Sequence, residues 1–286
     1  MNTPNLTGAR QVHRYPTIAR RVLTVTRVED LAPHYRRIHL TGDDLADGFP
    51  FAHFAPADHV KLFFPDPATG ELNLPTPGAR GLSIGHGPAP VSRDYTPRAW
   101  DPAARDLVID FVLHDDGVAA AWAARAVPGS TLGVFGPRGS GYFPEDYPHY
   151  LIGGDETALP ALARFLEEAP PHARVTAVIT VADVVERIAL ETSPNATVHW
   201  VDRSTAVTAP GHGSALETAL RAVPLDPSER TFVFVAGEAG ALKPIRAYFR
   251  RELGMAPQQV EVKGYWKLGV AGLDHHSPEA TGAEDD

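Results

Sequence analysis

An antiparallel β barrel followed by a doubly wound parallel sheet is the fold class this sequence predicts, and three observations predict it. Between Arg20 and Val134, six segments rich in β-branched and aromatic residues follow one another with no long helix among them. Beyond Pro148, apolar strand-like runs alternate with helical stretches, the signature of βαβ units around a parallel sheet. Between the two, residues 144–148 gather proline, acid and tyrosine into a linker. A chain of 286 residues fits two domains at the usual ~100 to 200 residues each. The expected division is a barrel domain over 13–145, an α/β domain over 149–269, and a tail over 270–286 with too little to bury to hold regular structure.

The expected barrel strands are RRVLTVTRV (20–28), HYRRIHLTG (34–42), HVKLFFP (59–65), SRDYTPRAW (92–100), DLVIDFVLH (106–114) and STLGVFG (130–136), separated by Gly, Pro and Asp clusters. Six such strands close into an antiparallel barrel. AAAWAARA (119–126) is the exception, a short helix entered through Gly117. In HVKLFFP the period of two places Val60, Leu62 and Phe64 on one face and His59, Lys61 and Phe63 on the other, which leaves Lys61 able to enter a cavity. SRDYTPRAW is the odd member: an arginine, an aromatic ring and a hydroxyl crowd the break that Pro97 makes in a strand.

In the second half, YLIGG, VTAVITV, TVHWVD, TFVFVAG and VEVKGYW alternate with the helical stretches ALPALARFLEEA, GSALETALRAV and AGALKPIRAYFRREL. Gly153 and Gly154 end the first strand and lead directly into a helix, with Asp155 or Thr157 as its cap and Pro160 in its first turn. Glycine admits close approach of a ligand to the backbone, and the helix start offers N–H groups to an anion. A tight turn that needs glycine for steric reasons is the alternative. Gly237 and Glu238 repeat the design at a later strand, and two such turns at the carboxyl edge of a doubly wound sheet favour a nucleotide. Gly117 makes a third strand-to-helix turn of this kind, where simple chain reversal is the alternative.

Composition removes several function classes. With no cysteine, there is no disulfide, thiolate nucleophile, iron–sulfur cluster or cysteine-bound zinc, so redox chemistry here needs a borrowed cofactor. A formal net charge of −9 argues against a general nucleic-acid binder. The thirteen histidines are scattered, with no helical pair spaced for zinc, and no serine sits in a nucleophile elbow. The N-terminus lacks the apolar core of a secretory signal, and no apolar run approaches the ~20 residues that span a bilayer, so a cytoplasmic protein without membrane insertion is expected.

Arg93, Tyr95 and Thr96 match a motif of ferredoxin-reductase-like flavoproteins, arginine, any residue, tyrosine, then serine or threonine. Together with HVKLFF, GDETALPA, VAGEAGALKPIR and VKGYWKLG, they resemble the siderophore-interacting proteins, a family of flavin-dependent ferric-siderophore reductases. The resemblance runs in order from about His13 to Gly269. It implies a six-stranded Greek-key barrel that binds FAD without a covalent bond, and a ferredoxin–NADP reductase-like α/β domain for NADPH or NADH.

On this resemblance Arg93 pairs with the FAD pyrophosphate, Tyr95 packs on the isoalloxazine, Thr96 offers its hydroxyl near flavin N5, and a bend at Pro97 brings the three to one ligand. His114, Asp116, Gly117, Ala119, Ala120 and Trp122 form the turn and helix at the pyrophosphate, where alanines stand in place of the family's frequent serine or threonine. Gly154, Asp155, Glu156, Thr157, Gly237 and Glu238 form the dinucleotide edge, and Tyr265 and Trp266, following the last strand, cover the flavin or cap the core. Arg203 beside Asp202 gives opposed signals on a 2′-phosphate, with a tilt to NADPH. Lys61, Arg138, Lys263 and Lys267 are the cations expected to meet an anionic ferric siderophore or other ferric chelate. A general flavin reductase, a ferredoxin-dependent reductase and a non-catalytic siderophore carrier are the alternatives.

Overall fold

In a computed structural model of the chain, which describes residues 8–78, 81–83, 90–115, 117–273 and 277, contacts divide the protein into two compact units. One comprises His13–Ala52 and Ala57–Ser140. The other is built on Gly141 onward, together with His53–Pro56 and the stretch before His13.

The first unit is a seven-stranded antiparallel sheet made of β1 (Arg20–Ala32), β2 (Tyr35–Thr41), β3 (Val60–Phe64), β4 (Val91–Tyr95), β5 (Pro97–Asp101), β6 (Asp106–Val112) and β7 (Thr131–Phe135), with helix α1 (Val118–Arg125) between the last two. Strand order across the sheet is β4-β3-β7-β1-β2-β6-β5. β4 and β5 stand at opposite ends of this order, yet only Thr96 separates them along the chain. Consecutive Cα atoms lie about 3.8 Å apart, so the sheet curls until its two edges meet at Thr96. The expected single strand over 92–100 is therefore two, and the expected six barrel strands are seven. The reason is pairing: Tyr95 lies opposite Val60 of β3, whereas Pro97 lies opposite Ile109 of β6. The alternation read in HVKLFFP holds, since Val60, Leu62 and Phe64 join Leu23, Ile38, Leu40, Ile109 and Leu132 in the barrel core.

The second unit is a five-stranded parallel sheet of β8 (His149–Gly154), β9 (Arg174–Val181), β10 (Ala196–Asp202), β11 (Thr231–Glu238) and β12 (Val260–Trp266), ordered β10-β9-β8-β11-β12. Helices α2 (Leu159–Glu168), α3 (Ala215–Ala222) and α4 (Ala239–Ala247) connect the strands. β8 and β11 are neighbours, so the direction of winding reverses between them, and the carboxyl ends of β8 and β11 meet at that reversal. The strands are apolar on both faces, as in Leu151, Ile152, Val178, Val233 and Phe234. Phe54 inserts into an aromatic cluster of Phe143, Tyr150 and Phe165, and its N–H donates to Glu168, which Arg164 holds at 2.8 Å. Tyr265 and Trp266 are the last residues of β12 rather than following it. Among the described residues, no helix is long and apolar enough to cross a membrane.

Candidate functional site

Two groups of site residues emerge, one in each unit. In the barrel unit, Tyr95 at the end of β4 lies with its ring 4.5 Å from Phe111, and Trp122 of α1 stands 5.7 Å from Phe111 and 5.6 Å from Phe64. One aromatic cluster thus fixes both the Arg93–Tyr95–Thr96 break and α1. Burial raises the Tyr95 phenol above its ordinary pKa, with the nearby Arg93 pulling the other way. Thr96 is buried at the seam, and Arg93 Nη1 donates to the Ser92 carbonyl at 2.8 Å. Arg36 ties down the far end of α1, donating from Nη1 to the carbonyls of Ala123 and Ala124 at 3.0 and 2.9 Å.

The start of α1 is different in kind. Gly117 is its N-cap, with φ 104° and no side-chain hydrogen bond to the helix. That backbone angle suits glycine, and a Cβ there would lie 3.3 Å from the exposed His114 ring. Ala119 and Ala120 are buried against the core, so their side chains offer a ligand nothing. What remains is backbone: the first-turn N–H groups and the positive end of the helix dipole, a fit for the pyrophosphate of FAD. Asp116 lies outside the described residues.

At the parallel sheet's carboxyl edge the helix starts are not open in this way. Asp155 caps the turn before α2, accepting from the N–H and Oγ1 of Thr157 at 2.9 and 2.5 Å. The same carboxylate accepts from the Glu238 N–H at 3.0 Å and from Trp266 Nε1 at 2.9 Å. Burial pushes the Asp155 carboxyl above its usual range, against the pull of the hydrogen bonds from Thr157 and Trp266. Glu238 in turn caps α4, accepting from the Ala241 N–H at 2.6 Å, and also accepts from the Leu268 N–H. The cap expected at Asp155 is thus found, and with Glu238 it occupies N–H groups that the sequence offered to an anion at these two turns. The glycines here also have a packing reason. A Cβ on Gly154 would collide with the Ala236 carbonyl and Ala158, and one on Gly237, at φ 151°, would lie 2.6 Å from Asp155 Oδ2.

Glu156 faces Arg203, whose Nη1 and Nη2 donate to its two oxygens at 2.8 and 2.6 Å. Arg187, which the sequence reading missed, makes a similar fork with Asp202, Nε donating at 2.9 Å. Its position just past the end of an inner strand was the available signal. Of the expected substrate cations, Lys61 is not free to enter a cavity: its Nζ is 2.7 Å from Asp94, the residue opposite it on β4. Lys263 sits 2.9 Å from Glu261, Arg138 is exposed, and Lys267 acts on Glu238 electrostatically.

Comparison with known proteins covers both halves of the chain. Residues 24–141 match the family model described as the siderophore-interacting FAD-binding domain, and residues 147–269 match that of the siderophore-interacting protein. The NADPH-dependent ferric-chelate reductase of Escherichia coli is 37% identical over 88% of this chain and 97% of its own. The ferric vibriobactin reductase ViuB of Vibrio cholerae is 31% identical over 87% of this chain and 90% of its own. A crystal structure of a siderophore utilization protein from T. fusca superposes with a TM-score of 0.84 at 45% identity, covering 94% of this chain and all of that one. The fold likeness reaches a ferredoxin NADP+ reductase from Neisseria gonorrhoeae, with a TM-score of 0.57 at 15% identity over 87% of this chain and 99% of that one.

Proposed function

The chain belongs to the siderophore-interacting protein family, and from that membership we propose how its residues divide the work of a ferric-siderophore reductase. The enzyme transfers electrons from NAD(P)H through non-covalent FAD to chelated Fe(III) and releases Fe(II). Bound FAD supplies the conversion between a two-electron hydride and the single electrons that iron accepts. Hard oxygen donors hold Fe(II) less firmly than Fe(III), so reduction frees the metal without a protein ligand to iron.

The observation that carries the division of roles is the start of α1 at Gly117, without a side-chain cap, fixed by the same aromatic cluster as the Arg93–Tyr95–Thr96 break. In this reading residues 13–145 hold FAD. Arg93 and the first-turn N–H groups of α1 meet the pyrophosphate, Tyr95 packs on the ring system and Thr96 presents its hydroxyl to it. Residues 149–269 bind the dinucleotide along the edge formed by Gly154, Asp155, Glu156, Thr157, Gly237 and Glu238. Tyr265 and Trp266, the latter donating its indole N–H to Asp155, are assigned to cover a ring at that edge. Arg138, Lys263 and Lys267 are assigned to the anionic chelate, with Lys61 a weaker contributor because it is shared with Asp94. The proposal takes a nicotinamide dinucleotide rather than ferredoxin as donor, because the parallel sheet has a winding reversal where dinucleotides bind. It implies a cytoplasmic location, where reduced nicotinamide is maintained.

The test is steady-state turnover of FAD-reconstituted protein with ferric siderophore and a ferrous-specific chromogenic chelator. NADPH- or NADH-dependent colour that requires both protein and FAD is the expected result. Reduction of free FAD with no effect on the ferric complex would instead mark a general flavin reductase.

A further inference from the structure

We infer that one end of the barrel carries a separate small-molecule site, a cleft over the buried Arg21 that takes a hydroxylated aromatic monocarboxylate. None of the residues assigned above to FAD, the dinucleotide or the ferric chelate lines it, so the inference stands or falls apart from the reductase reading.

Position follows from the strands. Arg21, Leu23 and Val25 alternate along β1 and are all buried, so Arg21 takes the inward-facing position nearest the start of the strand. Helix α1 lies toward the opposite end of β1. It follows Val112, which pairs with Tyr35, itself opposite Ala32 at the far end of β1. There Ala119, Trp122, Ala123 and Ala126 of the helix join the barrel core. At the Arg21 end the cover is instead the turn over residues 43–50, which contributes Leu45 and Phe49 to that core. Beside this turn opens a cleft of about 570 Å³, within the range of small-molecule sites. Arg20, Arg21, Asp44, Asp47, Phe49 and Trp100 are among its lining residues.

Charge makes the cleft a site. Arg21 is 6% exposed, and burial lowers its pKa against the opposing pull of Asp44. Its Nη1 donates to the Gly136 carbonyl at 2.8 Å, and its guanidinium lies 5.2 Å from the centre of the Phe49 ring. Its Nε is buried with no hydrogen-bond partner among the described residues. A buried charge is costly unless a counter-charge stands close and its N–H groups are satisfied. Asp44 meets this need only in part, being exposed and giving Oδ2 to the Val22 N–H at 2.8 Å. A carboxylate entering the cleft supplies the missing counter-charge and suits a guanidinium donor. The remaining lining fixes the ligand class. Buried Phe49 and half-buried Trp100, with ring centres 5.9 Å apart, form an apolar wall suited to an aromatic ring. Exposed Arg20 adds a second positive charge. Exposed Asp44 and Asp47 oppose a second negative charge on the ligand and accept from a hydroxyl group.

The experiment follows 3-hydroxybenzoate, benzoate, benzyl alcohol and phthalate binding to the FAD-loaded full chain by calorimetry and by the indole N–H resonance of Trp100, assigned with Trp100→Phe. In the unaltered protein benzoate should bind about tenfold or more tightly than neutral benzyl alcohol, the span of a charge-assisted hydrogen bond. The added hydroxyl of 3-hydroxybenzoate should gain about threefold. The second charge of phthalate should weaken binding, and Asp47→Asn should narrow the gap between benzoate and phthalate about twofold. Arg21→Met should fold, retain FAD and lower benzoate affinity about tenfold or more, with Arg21→Lys between, since a point charge replaces a fork. Should Arg21→Met not fold, exposed Arg20→Gln takes its place, with an expected loss of about threefold. The inference is overturned if benzoate binds no better than benzyl alcohol, or if saturating 3-hydroxybenzoate leaves the Trp100 resonance unmoved. It is overturned equally if folded Arg21→Met binds benzoate within about twofold of the unaltered protein, or if Arg20→Gln in its place changes nothing.

Discussion

Helix α1 in the barrel unit begins at a glycine with nothing but backbone at its first turn, whereas at the parallel sheet's edge the turn leading into α2 and the start of α4 are each capped by a carboxylate, Asp155 and Glu238. Both units use strand-to-helix turns, and both are expected to bind a dinucleotide. Yet one leaves its helix dipole to the ligand and the other satisfies it from within. The difference teaches that a glycine-containing turn is not by itself an anion site; what stands on the first N–H groups decides. It also separates two kinds of damage. Changes at the barrel site should empty the cofactor site and spare the fold, while changes at the edge should cost stability, because there the polar groups hold one another.

The largest effect expected from this contrast is at Arg93. Arg93→Ala should purify folded but largely colourless, with FAD affinity reduced on the order of a hundredfold, as for a lost charge-assisted pair; visible absorbance and equilibrium dialysis measure it. Full retention of FAD would remove the role given to Arg93. Asp155→Ala provides the opposite case. Removing a carboxylate that accepts from Thr157, Glu238 and Trp266 leaves two half-buried backbone donors and the exposed indole without it, a loss of about 1–3 kcal/mol. Urea unfolding should show that loss with FAD content unchanged, and a colourless but fully stable variant would erase the distinction between the two sites.

Acid should weaken the parallel sheet through His149. Fully buried between Thr176 and Thr231, its ring is lowered to a pKa of about 4 by burial first and then by Arg174. Between about 6.5 and 4 the unfolded chain binds a proton that the folded one does not, so stability falls as pH drops through that window and is unaffected above it. The loss is at most about 3 kcal/mol, and His149→Gln should flatten that part of the pH profile. An unchanged slope in the variant would assign the acid lability elsewhere. The smallest effect is at Asp94, whose carboxylate neutralises Lys61. Asp94→Asn should lower KM for an anionic ferric chelate about twofold to fivefold, within the range of exposed ion pairs, and leave KM for a neutral chelate in place.

Much of this was legible in the chain because local periodicity reports burial. The alternation in HVKLFFP, the apolar runs of the parallel strands and the glycine turns all depend on neighbours within a few residues. What was not legible depends on partners far along the chain. SRDYTPRAW reads as one strand until its two halves are seen to pair with β3 and β6 at opposite edges of the sheet. Lys61 reads as free until register brings Asp94 opposite, and the Arg187–Asp202 fork joins residues of two different strand ends. The indole of Trp266 reaches a carboxylate more than a hundred positions away. No local pattern announces such pairs.

The most direct test of the central claim is an anaerobic titration of the FAD-loaded protein, first with NADPH and then with ferric siderophore, following the flavin absorbance. The account expects bleaching by one equivalent of NADPH, then recovery of the oxidised spectrum as two ferric complexes are consumed for each reduced flavin. A reduced flavin that the ferric siderophore leaves bleached would contradict it.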